Sequence, residues 1–343
     1  MKKILLAMSG GVDSTVAALL LKEQGYEVGG ATFDLLPENG NKDDIENAAQ
    51  AAAHIGIPHF VIDMKDTFSR CVISDFRDEY LRGGTPNPCI ECNRHVKFGE
   101  FLNHADRLGY DFIATGHYAK VGSENGRFFI KKASDSSKDQ SYVLYPLGQE
   151  ALSRLILPLG DLTKTEIREI AAGFGLSVAS KRDSQDICFI PDGDYVGYLC
   201  NKHGIKPEKG DYIDSQGNII GKHSGIINYT LGQRKGLGIT FGEPRFVTAK
   251  DAEKNTVTLG KSEELFSSRV KLNNVNLQLI ERLTTPLRVT AKTRYSQKET
   301  DATLSFTEEG YVLDFDSPVR AASPGQSAVF YAGERLIGGG KIV

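Results

Sequence analysis

The sequence predicts an α/β fold: an N-terminal parallel-sheet domain, then a small central domain, then a C-terminal β-barrel. Three observations carry this. Short apolar runs alternate with helix-period segments through the first half, glycines mark the first strand-to-helix junction, and period-two alternation takes over beyond Val270. At 343 residues, 40% of them apolar and 25% charged, with a mean hydropathy of −0.28, the chain is a soluble globular one too long for a single core. Boundaries are expected to give domains 1–202, 203–267 and 268–343.

Residues 4–8 form an apolar run bounded by glycines, and Val12, Val16, Leu19 and Leu20 then recur at helical spacing until Gly25. A second strand is expected over 27–33, an alanine-rich helix over 43–55 stopped by Gly56, a third strand over 58–63 and a fourth over 111–115. Strands separated by helices of this length imply right-handed crossovers and a parallel sheet, with ligands beyond the carboxyl ends of the strands. Helical spacing fades from about Lys206, and glycines crowd residues 230–242. Over 287–295, Val289, Ala291 and Thr293 share one face while Arg288, Lys292 and Arg294 share the other. With further strands at 326–331 and 335–343, this pattern describes a closed or nearly closed barrel.

The formal net charge of −3 argues against an all-over basic coat for nucleic acid. It hides a segregation, because residues 201–261 carry a net +4 and the rest a net −7. No apolar run approaches the roughly 18 residues that span a bilayer, and residues 4–8 are too few for a signal-peptide core, so a cytoplasmic monomer without a membrane partner is expected. Five cysteines fit a reducing compartment better than a disulfide framework.

Ser9-Gly10-Gly11-Val12-Asp13-Ser14 sits where the first strand hands over to the first helix. Two glycines let the backbone approach an anion, the amides of the helix start point toward it, and the serines add donors. The loop lacks the Walker lysine and the three-glycine dinucleotide spacing. An aspartate is poor company for phosphate unless a cation intervenes, so Asp13 suggests Mg²⁺. The hexapeptide resembles the PP-loop of ATP pyrophosphatases, which grip the β- and γ-phosphates and transfer AMP to an oxygen. A glycine-rich helix cap is the bland alternative.

Cys89 and Cys92 stand three apart, after a double-proline segment and at the mouth of a helix expected through 98–108. A thiol at a helix start ionises more easily, and the thiolate is the nucleophile. Cys188 follows about a hundred residues later in Asp183-Ser184-Gln185-Asp186-Ile187-Cys188-Phe189-Ile190, while Cys71 and Cys200 read as inert buried residues. A lone CxxC is also compatible with half a zinc site or a coincidence of helix starts.

The blocks AMSGGVDS, TPNPCIECNRHVKFG, ATGHYA, SSKDQSYVLY, DSQDICFI, YTLGQRKGLGI, AKTRYSQ and PGQSAVFY follow one another from end to end. Together they resemble the tRNA-specific 2-thiouridylase family, MnmA, also called TrmU. The resemblance implies a three-domain enzyme that uses ATP to put sulfur on C2 of the wobble uridine of tRNAs for lysine, glutamate and glutamine. It implies Cys92 as the attacking residue and Cys188 as the persulfide carrier; cleavage of the persulfide by Cys92 would then either free hydrosulfide or leave a Cys92–Cys188 disulfide after transfer. It implies ATP contacts at Ala7, Met8, Ser9, Gly10, Gly11, Val12, Asp13, Ser14, Phe33 and Gly116. Asn87, Pro88 and Cys89 would meet the target base, and His117, Lys138, Asp139, Gln140, Arg294, Tyr295 and Gln326 would face tRNA. A cysteine desulfurase or sulfur-relay protein would supply the sulfur.

The resemblance breaks at Cys89, where the pattern of well-known members of the family has aspartate, so no acid-base role transfers to that position. The substitution opens another route, in which Cys89, Cys92 and Cys188 ligate three irons of a [4Fe-4S] cluster. The chemistry stands without the family name. Uracil O2 is a poor leaving group, and adenylation converts it into one that a sulfur nucleophile displaces, with Lys97 near the developing charge. Two distant cysteines must then come almost into contact. A wobble base is cheap to unstack, and Tyr118, Tyr295, Arg234, Lys235, Arg288, Lys292 and Arg294 offer stacking or backbone contacts. The competing readings are a PP-loop ligase such as an NAD or GMP synthetase, which has no use for the paired thiols, and a non-enzymatic RNA-binding or metal-storage protein.

Overall fold

The structure is a computed structural model and describes residues 1–37, 41–174 and 187–343. Its first sheet is parallel. Strands β1 (Lys3–Ala7), β2 (Glu27–Asp34), β3 (His59–Asp63) and β4 (Phe112–Ala114) are joined, after a hairpin of β5 (Lys120–Glu124) and β6 (Arg127–Lys131), by β7 (Leu155–Ile156). The spatial order is β3-β2-β1-β4-β7. Connections leave β1 toward β2 on one side and arrive at β4 on the other, so the order reverses between β1 and β4. A crevice opens at such a reversal, at the carboxyl ends of the strands.

Helices cover the sheet. Helix α1 (Val12–Glu23) buries Val12, Val16, Leu19 and Leu21, and α2 (Lys42–Ile55) buries Ala48, Ala51, Ala52 and Ile55. Next come α3 (Lys65–Phe68), wide i→i+5 turns over Ser69–Ile73 and α4 (Ser74–Leu81). The thiol-bearing helix starts ten residues before the expected stretch: α5 (Pro88–Glu91) opens on a proline at its first position and runs through wide turns at Cys92–Glu100 into α6 (Phe101–Arg107). Short α7 (Gln149–Ser153) precedes β7, and α8 (Lys164–Gly173) and α9 (Tyr195–His203) complete this part.

The glycine-crowded residues 230–242 form part of the connection between two strands of a four-stranded sheet, β8 (Gly210–Ile213), β9 (Ile219–His223), β10 (Phe246–Asp251) and β11 (Thr256–Gly260), packed over Tyr212, Tyr229, Val247, Val257 and Leu259. The barrel comprises β12 (Phe266–Leu277), β13 (Leu287–Lys292), β14 (Thr300–Thr307), β15 (Gly310–Arg320), β16 (Ser327–Ala332) and β17 (Arg335–Ile342). It is fully closed by the β12–β17 ladder, with Leu272 opposite Ile342. Val289, Ala291, Ala302, Leu304, Phe330 and Ile337 fill its interior, so the face shared by Val289 and Ala291 is the one turned inward.

The hairpin β5–β6 was not expected: it leaves the N-terminal part and adds itself to β17, pairing Lys131 with Arg335. Buried Gln278 seals that join, accepting from Ile130 N at 3.0 Å and donating to Leu144 O at 2.9 Å. Among the described residues no helix is long and apolar enough to cross a membrane.

Candidate functional site

A cavity of about 410 Å³ lies at the carboxyl ends of β1, β2 and β4, within the size range of small-molecule sites. Ala7, Met8, Ser9, Asp13, Ser14, Phe33, Pro88, Cys89, Cys92, Lys97, Gly116, His117, Gln140 and Cys188 all line it. Residues about a hundred positions apart in sequence, Cys92 and Cys188, therefore face one space.

One end is built for an anion. Gly10 has φ +69°, and a Cβ there would stand 2.7 Å from Cβ of Asn47. Gly11 is the N-cap of the 12-residue α1 and offers no side-chain cap, so the first-turn amides are left for a ligand. Ser14 Oγ accepts from Ser9 N at 3.2 Å and donates to Gly11 O at 3.2 Å, which fixes the turn. Gly116 presses its backbone against this turn: a Cβ there would meet Ser14 N at 3.0 Å. Gly10, Gly11 and Val12 form the turn itself, with Val12 buried beneath it.

The adjoining wall is suited to a flat apolar ring. Phe33 stands edge-on to Phe101 at 4.9 Å, Asn41 Nδ2 donates to Phe33 O at 2.7 Å, and Thr32 Oγ1 donates to Met8 O at 2.9 Å.

At the other end the thiols correct one expectation. Cys92 is 8% exposed, and burial pushes its thiol up to about 12, outweighing the lowering by Lys97. Its place four residues into the helix removes the benefit expected of a helix start, since that effect fades within the first turn. Cys188 stands at the rim, open to solvent, yet the surrounding protein still raises its thiol; Cys89 is exposed. Neighbouring Asn93 is buried and anchored, donating to Val143 O at 3.0 Å. His117 shares a 2.7 Å hydrogen bond with Thr115 Oγ1, and burial together with Lys97 holds its imidazole neutral.

Asp13 is engaged within the protein. Its oxygens receive the ammonium of Lys164 at 2.8 and 2.9 Å and the Tyr118 hydroxyl at 2.7 Å. The cluster does not fit. Among the described residues no three His, Cys, Asp or Glu are arranged to hold a metal ion. Cys92 is buried while Cys89 and Cys188 are exposed.

The residues expected to face tRNA divide. His117, Gln140, Pro88 and Cys89 line the cavity. Gln140 Oε1 also accepts from Tyr118 N at 2.9 Å. Asn87 lies just outside the cavity lining, at the N-cap of α5. Lys138 is half-buried, and Asp139 accepts from Ala133 N at 2.9 Å and from Ser141 Oγ at 2.7 Å. Tyr295 is exposed and donates to Asp139 O at 3.1 Å. Arg294 Nη2 donates to Leu231 O, Ala321 O and Ser323 Oγ, bracing the central sheet against the barrel. Gln326 Nε2 donates to Thr85 O at 2.8 Å, gripping the segment that leads to Cys89. Arg288 is engaged by Asp316 at 2.8 and 2.6 Å, whereas Arg234 and Lys235 are exposed. Cys71 and Cys200 are half-buried rather than buried, and Asp183, Ser184, Gln185 and Asp186 lie outside the described residues. Sequence reasoning missed Lys164, which is 151 positions from Asp13 and carries no local signature.

Three family models match in succession: a tRNA methyl transferase HUP domain over residues 2–192, a tRNA methyl transferase PRC-barrel domain over 199–261 and an aminomethyltransferase beta-barrel domain over 267–342. The chain is 47% identical to the tRNA-specific 2-thiouridylase MnmA of Acetivibrio thermocellus and 46% identical to that of Clostridium acetobutylicum, over 99% of both chains in each case. Among solved structures, a 4-thiouridine synthetase in complex with RNA and bound ATP matches 55% of this chain and 45% of its own at 20% identity and a TM-score of 0.39, too slight a likeness to carry anything over.

Proposed function

Since the chain belongs to the tRNA-specific 2-thiouridylase family, we propose that the cavity is where uridine is adenylated and then thiolated. The protein is a tRNA-uridine 2-sulfurtransferase of an ATP-using, PP-loop family. The observation that carries the site assignment is the joint lining: uncapped α1 amides at one end, Cys92 and Cys188 at the other.

On this reading ATP lies with its phosphates against Ser9 to Ser14 and its base beside Phe33 and Met8. Uridine O2 attacks the α-phosphorus and pyrophosphate departs toward α1, whose amides stabilise the charge. Mg²⁺ would enter on the nucleotide's own phosphates, with the cavity-lining carboxylate of Asp44 beside them, and would supply charge screening. The terminal sulfur of a Cys188 persulfide attacks C2 and displaces AMP. Cys92 then attacks the Cys188 sulfur, so that the S–S bond breaks, C2 keeps the sulfur and a Cys92–Cys188 disulfide remains for a thiol reductant to open. Cys92 must be deprotonated first, and Lys97 is the cation lowering its thiol. No step runs through an iron-sulfur cluster.

Neutral His117 and Gln140 suit hydrogen bonding to a flipped uracil rather than contact with phosphate. The wobble uridines of the lysine, glutamate and glutamine tRNAs are the proposed substrates, and a cysteine desulfurase or its relay the donor. The division 1–202, 203–267 and 268–343 is retained. The test is thiolation of tRNA transcripts by iron-free protein given ATP and a persulfide donor. Formation of 2-thiouridine with stoichiometric AMP supports the reading, and AMP release without it under those conditions would refute the sulfur assignment.

A further inference from the structure

We propose that Lys164 is a positioning residue whose ammonium neutralises Asp13 so that the anion cradle accepts a triphosphate. This rests on the reading of the cradle as the ATP site. Asp13 is the second residue of α1, in the first turn, where its carboxylate faces the space an incoming phosphate would take. An unpaired carboxylate there would repel that phosphate. Instead both oxygens receive Lys164 Nζ, at 2.8 and 2.9 Å, and the Tyr118 hydroxyl holds one of them at 2.7 Å.

The placement of Lys164 breaks a local rule. It is the first residue of α8, and a cation is disfavoured at the positive end of a helix. The turn is nevertheless fixed by a capping box in which Thr163 N donates to Glu166 Oε2 at 2.7 Å and Glu166 N donates to Thr163 Oγ1 at 3.3 Å. Lys164 is 9% exposed, so its ammonium has given up most of its water. Violations of this kind are expected where function compensates for them. The compensation here is the carboxylate contributed by α1. The pair keeps Asp13 in the loop, where it orients Tyr118, while removing its net charge from the phosphate end of the cavity.

Binding of α,β-methylene-ATP and of adenosine to the full chain tests this, each with and without Mg²⁺, by calorimetry. The variants are Lys164→Met, Lys164→Arg, Asp13→Asn and the double variant Asp13→Asn with Lys164→Met. The expected result is a ten- to hundredfold weaker affinity of Lys164→Met for the nucleotide, largest without Mg²⁺, and unchanged affinity for adenosine. Lys164→Arg and the double variant should fall within about threefold of the parent. Equal losses for nucleotide and adenosine would mean a purely structural pair and overturn the proposal, as would unaltered nucleotide binding by Lys164→Met. A double variant as weak as Lys164→Met would assign the ammonium to phosphate itself and likewise overturn it. If the parent chain binds neither compound, the ATP reading fails instead.

Discussion

The two ends of the cavity are prepared to different degrees. At the glycine loop everything an anion needs is in place: an uncapped helix start, a turn fixed by Ser14, and a carboxylate already paired. At the thiol wall Cys92 is buried and desolvation pushes its thiol up, with one cation, Lys97, acting against it. On the proposed reading, activation of the base proceeds from the fold as it stands, whereas sulfur transfer needs a change around Cys92 that frees its thiolate.

The sharpest way to break the comparison is to remove the sulfurs. Cys92→Ser and Cys188→Ser should each lower 2-thiouridine formation by about a thousandfold or more, read by nucleoside mass spectrometry, while AMP transfer continues. Parallel loss of AMP transfer would mean that the two ends are not separable. Next in size is thiol reactivity. Because burial pushes the Cys92 thiol well above the usual range, iodoacetamide should label exposed Cys89 well before Cys92. Raising the pH favours the thiolate, so Cys92 labelling should climb about tenfold per pH unit, as peptide mapping would record. ATP with tRNA should accelerate it at constant pH if substrate binding releases the nucleophile.

A smaller effect probes the prepared end alone. Gly116→Ala places a methyl 3.0 Å from Ser14 N and should weaken nucleotide binding by roughly tenfold without altering Cys92 labelling. The smallest concerns Lys250, which ties the central sheet to the segment before Cys89, donating to Tyr229 O at 2.7 Å and Gly84 O at 3.4 Å. Burial lowers its ammonium to about 8. The unfolded chain then binds more protons between pH 8 and the ordinary lysine value, so folding stability gains up to about 1.4 kcal/mol per pH unit as the pH rises through that window. Lys250→Met should remove this slope in denaturant titrations.

The parallel sheet was legible because each strand is a short apolar run and each crossover a helix-period segment, patterns that local sequence contains. The loop at Ser9 to Ser14 was legible for the same reason, and the resemblance supplied the pairing of Cys92 with Cys188. What stayed hidden depends on long-range packing. Nothing near Lys164 announces a partner 151 positions away. The wide turns through Cys92–Glu100 follow directly on the α-helical turn at Pro88–Glu91, and Asn93 within them is tied to Val143, 50 positions along the chain. Arg294 lies on an alternating strand end and read as a backbone contact, yet its guanidinium is used inside the protein, because three oxygen acceptors converge on it only after the central sheet and barrel meet.

The hairpin β5–β6, joined to β17 at the Lys131–Arg335 pair and held by Gln278, makes the N-terminal part of the chain a direct neighbour of the closed barrel. Recombining C-terminal modules between relatives should therefore succeed only when residues 120–131 travel with their barrel.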